Sequence, residues 1–251
     1  MLFLSSFTIS SAQKINYSRH ILVKTKGQYR ENVQTLFSPN NSGKLAQRIR
    51  GLRAYRESRQ IFVSPVPFLS QVRINTLLDG KELVMPGPSL KQGFFLLKPF
   101  SAPFPKLSAA VSLTGISQYG SIIPTVDIAR LKIGMFITEA LLVNTKGIRL
   151  GDGTGYFDLA VAIIHEYGGV AENPEVWAVL ADGSQMVIDD LPSDPWDIPV
   201  QGVATHAECH ELSKEVLCSP KVHWEHLALK TIKKIDPLWK LSCDVLKDHQ
   251  S

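Results

Sequence analysis

The chain has 251 residues, 44% of them hydrophobic, which accommodates one sizeable α/β domain with extensions and excludes a broadly disordered chain. Its formal net charge of +4 is mild, so an anionic small ligand fits the balance and nucleic acid is not required by it. The three cysteines (Cys209, Cys218 and Cys243) all lie in the last fifth, which fits reduced thiols rather than a disulfide framework, and no apolar run approaches the length of a membrane span.

Residues 1–30 hold no Asp or Glu, five Lys/Arg and five Ser. That composition is shared by organelle transit peptides, but Met1–Ser11 lacks their arginine-rich amphipathic pattern, so residues 1–23 are read as a disordered leader. Lys24–Phe37 reads as a helix with Lys26 and Arg30 four residues apart on one face. After the breaker Ser38–Gly43, a helix is expected from Lys44 to Tyr55, with Leu45, Ile49 and Leu52 on one stripe. Five arginines between Arg48 and Arg59 lie on or just after it; without interleaved aromatics they read as a solvated face, not a nucleic-acid surface.

Strands are expected at Gln60–Ser64, Leu83–Pro86 and Gly93–Leu97, with a helix over Phe68–Leu78 between the first two. This alternation argues for a parallel or mixed sheet with crossover helices, a class that binds ligands beyond the carboxyl ends of its strands. Pro99–Pro124 reads as a long loop, either a substrate cover or a poorly ordered insertion. The apolar run Met135–Val143 predicts a central strand and Leu159–Tyr167 a helix. Glu175–Leu180 and Gln185–Ile188 read as a hairpin around Asp182-Gly183, followed by a short strand at Val200–Thr205. The tail from Lys221 to Lys247 reads as helical with a break at Pro237, its Trp224, Leu227, Ile232 and Leu238 forming an apolar stripe. The domain boundaries expected are 1–23 for the leader, 24–210 for the α/β domain and 211–251 for a helical extension packed on it.

Between the central strand and its helix lies Gly147–Asp158, with Gly151, Gly153 and Gly155 at every second position. Glycines let backbone N–H groups approach a phosphate, and the following helix end adds partial positive charge. The spacing is neither a P-loop nor a dinucleotide fingerprint, so on spacing alone a tight strand-to-helix turn is an equal reading. His206, Cys209, His210, Cys218, His223 and His226 are zinc-type ligands at a spacing that matches no known finger. No serine sits in a nucleophile elbow.

The run Gly147-x-Arg149-Leu150-Gly151-x-Gly153-x-Gly155-Tyr156-Phe157-Asp158 resembles the G-x-R-L-G-x-G-x-G-Y-Y-D signature of the 5-formyltetrahydrofolate cyclo-ligase family, also called methenyltetrahydrofolate synthetases. Lys26 and Arg30 are similar to that family's opening K-x-x-x-R. Leu45–Tyr55, Ile61–Ser64 and Gly80–Pro86 are similar to its next helix and two strands. Asp158-Leu159 and the run from Asp197 to Thr205 resemble a divergent, cyclo-ligase-like branch, and so does the stretch around Lys221–Leu227.

The resemblance implies a Rossmann-like three-layer α/β sandwich of NagB/RpiA/CoA-transferase type with a mostly parallel sheet. It implies ATP- and Mg²⁺-dependent closure of 5-formyltetrahydrofolate to 5,10-methenyltetrahydrofolate, in which the formyl oxygen attacks the γ-phosphorus with loss of ADP, N10 captures the imino-phosphate, and phosphate leaves. Carried over, Lys26, Arg30 and Arg149 contact ATP phosphates, Gly151, Gly153 and Gly155 supply backbone N–H groups, Tyr156 flanks nucleotide or pterin, and Asp158 binds Mg²⁺. Arg149 and Tyr156 are the catalytic candidates. The expected partner is a reduced folate, with no nucleic acid and no membrane, and the chain is taken as a cytoplasmic monomer, or a matrix protein if residues 1–23 are a transit peptide.

Five departures stand out. Asp152 and Thr154 occupy loop positions where the family carries cations, and a carboxylate beside a triphosphate repels it unless a metal intervenes. Gly87 and Leu159 replace basic residues. The stretch Pro65–Val72 contains no acid where the family places a glutamate near the folate nitrogens. A folate- or nucleotide-binding protein without turnover is therefore the alternative reading.

Overall fold

The computed structural model describes residues 25–32, 41–180, 186–187, 191–212 and 220–248. The leader expected at 1–23, the end of the first expected helix, the turn at Asp182-Gly183 and Cys218 lie outside the described residues.

In chain order, α1 (Lys26–Asn32), α2 (Ser42–Gly51) and α3 (Arg53–Glu57) precede β1 (Gln60–Val63), α4 (Ser70–Leu78), β2 (Glu82–Pro86) and β3 (Phe94–Leu97). Short helices α5 (Leu107–Ala110) and α6 (Ile116–Tyr119) lead to β4 (Ser121–Ile122), β5 (Ile133–Ala140), β6 (Leu142–Asn144) and β7 (Arg149–Leu150). Then come α7 (Tyr156–Glu166), β8 (Val170–Leu180), β9 (Met186–Val187), β10 (Gly202–Ala204), β11 (Cys209–Glu211), α8 (Leu229–Lys234) and α9 (Asp236–Asp248).

Among the described residues the main sheet has the order β11-β10-β8-β5-β1-β2-β3-β4. Its five central strands, from β10 to β2, run parallel, and β11, β3 and β4 close the edges antiparallel. The fold is thus α/β in three layers with a mostly parallel sheet. Strand chemistry explains this: Ile61, Phe62 and Val63 are all fully buried, as are Leu83, Val84 and Met85, the continuous apolar runs of strands covered on both faces. Period-two alternation sorts them between two cores. Phe62, Val84, Phe136 and Ala178 pack with Ala160–Ile164 of α7, whereas Ile61, Val63, Met135, Ile137 and Trp177 pack with Leu45 and Ile49 of α2 and Val72 and Leu77 of α4. A small sheet, β7-β6-β9, carries Leu142 and Leu150, on which Leu191 and Tyr29 of α1 pack.

The tail joins the α7 core. Ile235 and Leu238 are buried there, with Trp224, Leu227 and Ile232 packed against it, so the expected stripe does cover the domain. Tyr167 Oη donates to Pro237 O at 2.8 Å, Lys240 Nζ to Thr125 Oγ1 at 3.2 Å, and Asp236 N to Lys91 O at 3.1 Å.

Several expectations need correction. The helix expected over Lys44–Tyr55 is two helices, because Leu52 turns extended (ψ 143°) after Gly51. The run Met135–Val143 divides between β5 and β6, in different sheets. Met186–Val187 forms no hairpin with Glu175–Leu180: it pairs parallel with β6, while β8 is flanked by β5 and β10. Pro99–Pro124 is no open loop, since burial of Leu107, Ala110, Val111 and Ile116 folds it into α5, α6 and β4. The tail break falls at Ile235, with Pro237 inside the first turn of α9, where its missing N–H costs nothing.

Candidate functional site

The carboxyl ends of β1, β2 and β5 open into a cavity of about 470 Å³, within the range of small-molecule sites. Its walls come from Ser64–Val66 after β1, Pro86–Leu90 after β2, Glu139 near the end of β5, the loop Gly151–Asp158, and Asp194, Trp196 and Asp197. Leu113 lines it from the stretch Pro99–Pro124, and Lys26 and Arg30 reach it from α1. All the residues that the sequence singles out for phosphate, nucleotide and metal therefore line one cavity.

Arg149 is fixed by its strand. β7 pairs with β6 and carries the side chain inward until it is 94% buried at its side chain, the guanidinium 4.7 Å above the Phe157 ring. Its Nη2 donates to Asp158 Oδ1 at 2.5 Å, and Nε is buried without a hydrogen-bond partner. Asp158 sits in the first turn of α7 because that helix begins at Tyr156, three residues before the sequence-based start. The same Oδ1 also accepts Ile198 N–H at 3.0 Å, tying the loop to the 191–200 segment. Phe157 meets Phe62 edge-on, with centroids 6.0 Å apart, so the cation rests on a stack rooted in β1.

The glycine loop is shaped around the other cation. Arg30 Nε donates to Gly151 O at 2.9 Å, and a Cβ at Gly153 would lie 3.0–3.2 Å from the Arg30 guanidinium. Gly153 also has φ +94°, so its backbone favours glycine, and a side chain there would have to push the Arg30 guanidinium aside. Asp152 accepts Thr154 N–H at 2.9 Å and Thr154 Oγ1–H at 2.8 Å, an Asx-type turn that holds the loop from within. The two departures from the family's cations thus bond to each other. Tyr156 follows, 40% exposed at the cavity edge.

Lys26 is not free. Its Nζ bonds Asp194 Oδ2 at 2.7 Å and also Asp197 Oδ2, which in turn accepts Asp194 N–H at 2.7 Å. Of the three cations, Lys26 and Arg149 face carboxylates and Arg30 faces a carbonyl. Five acids (Glu139, Asp152, Asp158, Asp194 and Asp197) line the same walls. Gly87 has a steric explanation: a Cβ there would lie 2.9 Å from Phe95 Cε2, so the basic residue expected at that position has no room.

Among the described residues, which do not include Cys218, no group of three or more His, Cys, Asp or Glu is arranged to hold a metal ion. Mg²⁺ at phosphate sites characteristically takes one or two carboxylates and completes its shell with phosphate and water, so a single one of the cavity's carboxylates, that of Asp158, is compatible with that ion. No described helix is long and apolar enough to cross a membrane. Two residues escaped the sequence reading: Asp194, inside the acidic proline-rich stretch before Pro199, and Glu139, the single acid within Met135–Val143.

A family model described as the 5-formyltetrahydrofolate cyclo-ligase family matches residues 12–206. The chain is similar to a human protein called methenyltetrahydrofolate synthase domain-containing protein, 25% identical over 207 residues that span 81% of this chain and 54% of that one. It is similar to the zebrafish (Danio rerio) protein of the same description at 26% identity, with the same coverage. The chain spans about half the length of these curated relatives. An NMR structure of Aquifex aeolicus 5,10-methenyltetrahydrofolate synthetase aligns with a TM-score of 0.46 and 18% identity, over 75% of this chain and 89% of that one.

Proposed function

Since the chain belongs to the 5-formyltetrahydrofolate cyclo-ligase family over residues 12–206, we propose that it closes 5-formyltetrahydrofolate to 5,10-methenyltetrahydrofolate with ATP and Mg²⁺. The observation that supports this reading is convergence: Lys26 and Arg30 of α1 meet Arg149 and the glycine loop around one cavity, although Arg30 and Gly151 are 121 residues apart in the chain.

Such chemistry needs charge neutralisation and positioning more than acids and bases. Lys26, Arg30 and Arg149 would face the phosphates of ATP, with the N–H groups of Gly151, Gly153 and Gly155 and the N-terminal end of α7 adding to the positive field. Asp158 would hold Mg²⁺, and Tyr156 at the mouth would flank the nucleotide or the pterin. When bound, ATP supplies phosphoryl activation of the formyl oxygen. The protein's own part is to seat both ligands between Phe157, Leu90 and Leu113 and to limit water there.

A second reading, a folate or nucleotide held without turnover, is favoured by one observation. Lys26 and Arg149 are already neutralised by Asp194, Asp197 and Asp158, and Asp152 adds a further negative charge. One assay separates the two: 5-formyltetrahydrofolate with and without Mg-ATP, followed by the methenyl chromophore. Its ATP-dependent appearance supports the ligase. No turnover, together with a rise in thermal midpoint on adding 5-formyltetrahydrofolate or ATP, supports the binding protein and refutes the ligase.

A further inference from the structure

β5 carries a single acid, Glu139, beside one other polar side chain, Thr138, and the acid lines the cavity. Glu139 shares a strand face with Met135 and Ile137. It lies next to the end of β1, where Ser64 N donates to Ile137 O at 2.9 Å and Ser64 Oγ to Thr138 Oγ1 at 3.0 Å. This is a costly place for a charge, because burial disfavours the ionised form. Burial pushes the Glu139 carboxyl above the ordinary carboxylate range, Asp152 adding to the rise while its own backbone N–H, Arg149 and Thr138 oppose it.

The fold compensates only in part. Its own backbone N–H and Thr138 Oγ1, the latter at a long 3.3 Å, donate to the carboxyl, Arg149 and Arg73 act on it from a distance, and among the described residues no ion pair to it is formed. The nearby buried cation, Arg73, spends Nε on Val111 O and Nη1 on Ser64 O and Val66 O. A carboxyl that faces an open cavity and is left underbonded by its own protein is placed to be completed by a ligand. The chemistry of that ligand follows. A carboxylate accepts only, and two adjacent N–H donors match its two oxygens. A phosphate would be repelled. The neighbouring walls, Phe62, Pro86, Leu90 and Leu113, suit a flat ring.

We propose that Glu139 is a substrate-binding residue whose two oxygens accept the adjacent ring N–H and exocyclic amino N–H of a planar nitrogen heterocycle. The inference rests on the folate reading, since a reduced pterin presents that donor pair. It also places a recognising carboxyl on β5, one strand over from the acid-free stretch Pro65–Val72 that follows β1.

The test is calorimetric titration of the full chain, wild type and Glu139→Gln, with 5-formyltetrahydrofolate and with its 2-desamino analogue. Wild type is expected to bind the parent roughly 10- to 100-fold more tightly than the analogue, the worth of one hydrogen bond to a charged group. Glu139→Gln should weaken the parent by a similar factor and erase the preference, with Mg-ATP binding no weaker than in wild type. The variant removes a half-buried charge at constant volume, so its thermal midpoint should hold or rise, and the wild-type comparison of the two ligands does not depend on the variant at all. Equal affinity of wild type for both ligands, or undiminished binding of the parent by Glu139→Gln, overturns the assignment while the folate reading stands. Binding of Mg-ATP but of neither folate by wild type overturns the folate reading, and this assignment with it.

Discussion

Replacing Asp152 by Asn tests the phosphate role of the glycine loop with the least structural disturbance. Oδ1 of Asp152 holds Thr154 through its N–H and its hydroxyl, and an Asn side chain keeps that oxygen in place. Only the charge is lost. For a phosphate charge about 7 Å away and an effective permittivity of about 40, the relieved repulsion is roughly 1 kcal/mol, about fivefold in affinity. Asp152 is exposed, so added salt should shrink the gain. Asp152→Lys doubles the change in charge but gives up the Asx turn, and should gain affinity for ATP while losing about 0.5–1.5 kcal/mol of stability. The measurement is ATP titration in metal-free buffer at low and high salt, beside urea unfolding of each variant. Unchanged or weaker metal-free binding by Asp152→Asn refutes the idea that this loop cradles a triphosphate. A loss confined to Mg²⁺-containing buffer assigns the carboxylate to the metal instead.

Other outcomes follow from the same geometry. Arg149→Met leaves Asp158 buried beside an apolar chain and should cost about 3–5 kcal/mol in urea unfolding, with Asp158→Asn costing less because an amide oxygen still accepts Ile198 N–H. Gly87→Lys, which restores the family's basic residue, should lower stability by about 1–3 kcal/mol, since its Cβ must displace the buried Phe95 ring; an unchanged thermal midpoint would show that the ring yields freely. Burial, with a smaller push from Asp244, moves the Tyr167 hydroxyl up to about 12, and the neutral phenol donates to Pro237 O. Its contribution is therefore complete below pH 10.0, the ordinary value, and is lost as the pH rises toward 12. Tyr167→Phe should cost about 1 kcal/mol at neutral pH and show a shallower alkaline decline in urea unfolding than wild type.

The parallel centre of the sheet was legible because strands buried on both faces must be apolar throughout, and Ile61–Val63 and Leu83–Met85 are. Spacing alone leaves the glycine loop an equal choice between a phosphate site and a tight turn, and only the family resemblance points to Lys26, Arg30 and Arg149, which line one cavity with it. What escaped depends on distance in the chain. Nothing local states that Asp194 and Asp197 neutralise Lys26, 168 and 171 residues away. Nor does periodicity reveal that Met186–Val187 leaves its neighbour for β6, or that Leu107 and Ile116 bury a stretch rich in turn-forming residues. Glu139 left a local trace, an acid in an apolar run, but its meaning needs the position of the cavity.

The tail's attachment reaches the cavity wall. Ser89 and Leu90 line the cavity with left-handed backbone (φ 51° and 56°), an arrangement costing of order 1–3 kcal/mol per residue that must be stabilised by its surroundings. Part of that support is the chain's own far end. Asp236 N–H holds Lys91 O, and Pro237 sits so close to Gly93 that a Cβ there would come within 3.1 Å. The wall and the start of α9 are thus tied by a hydrogen bond and a close contact. A molecule that seats against Leu90 is expected to slow amide hydrogen exchange in the first turns of α9, and unchanged exchange there on ligand binding would show that the two open independently.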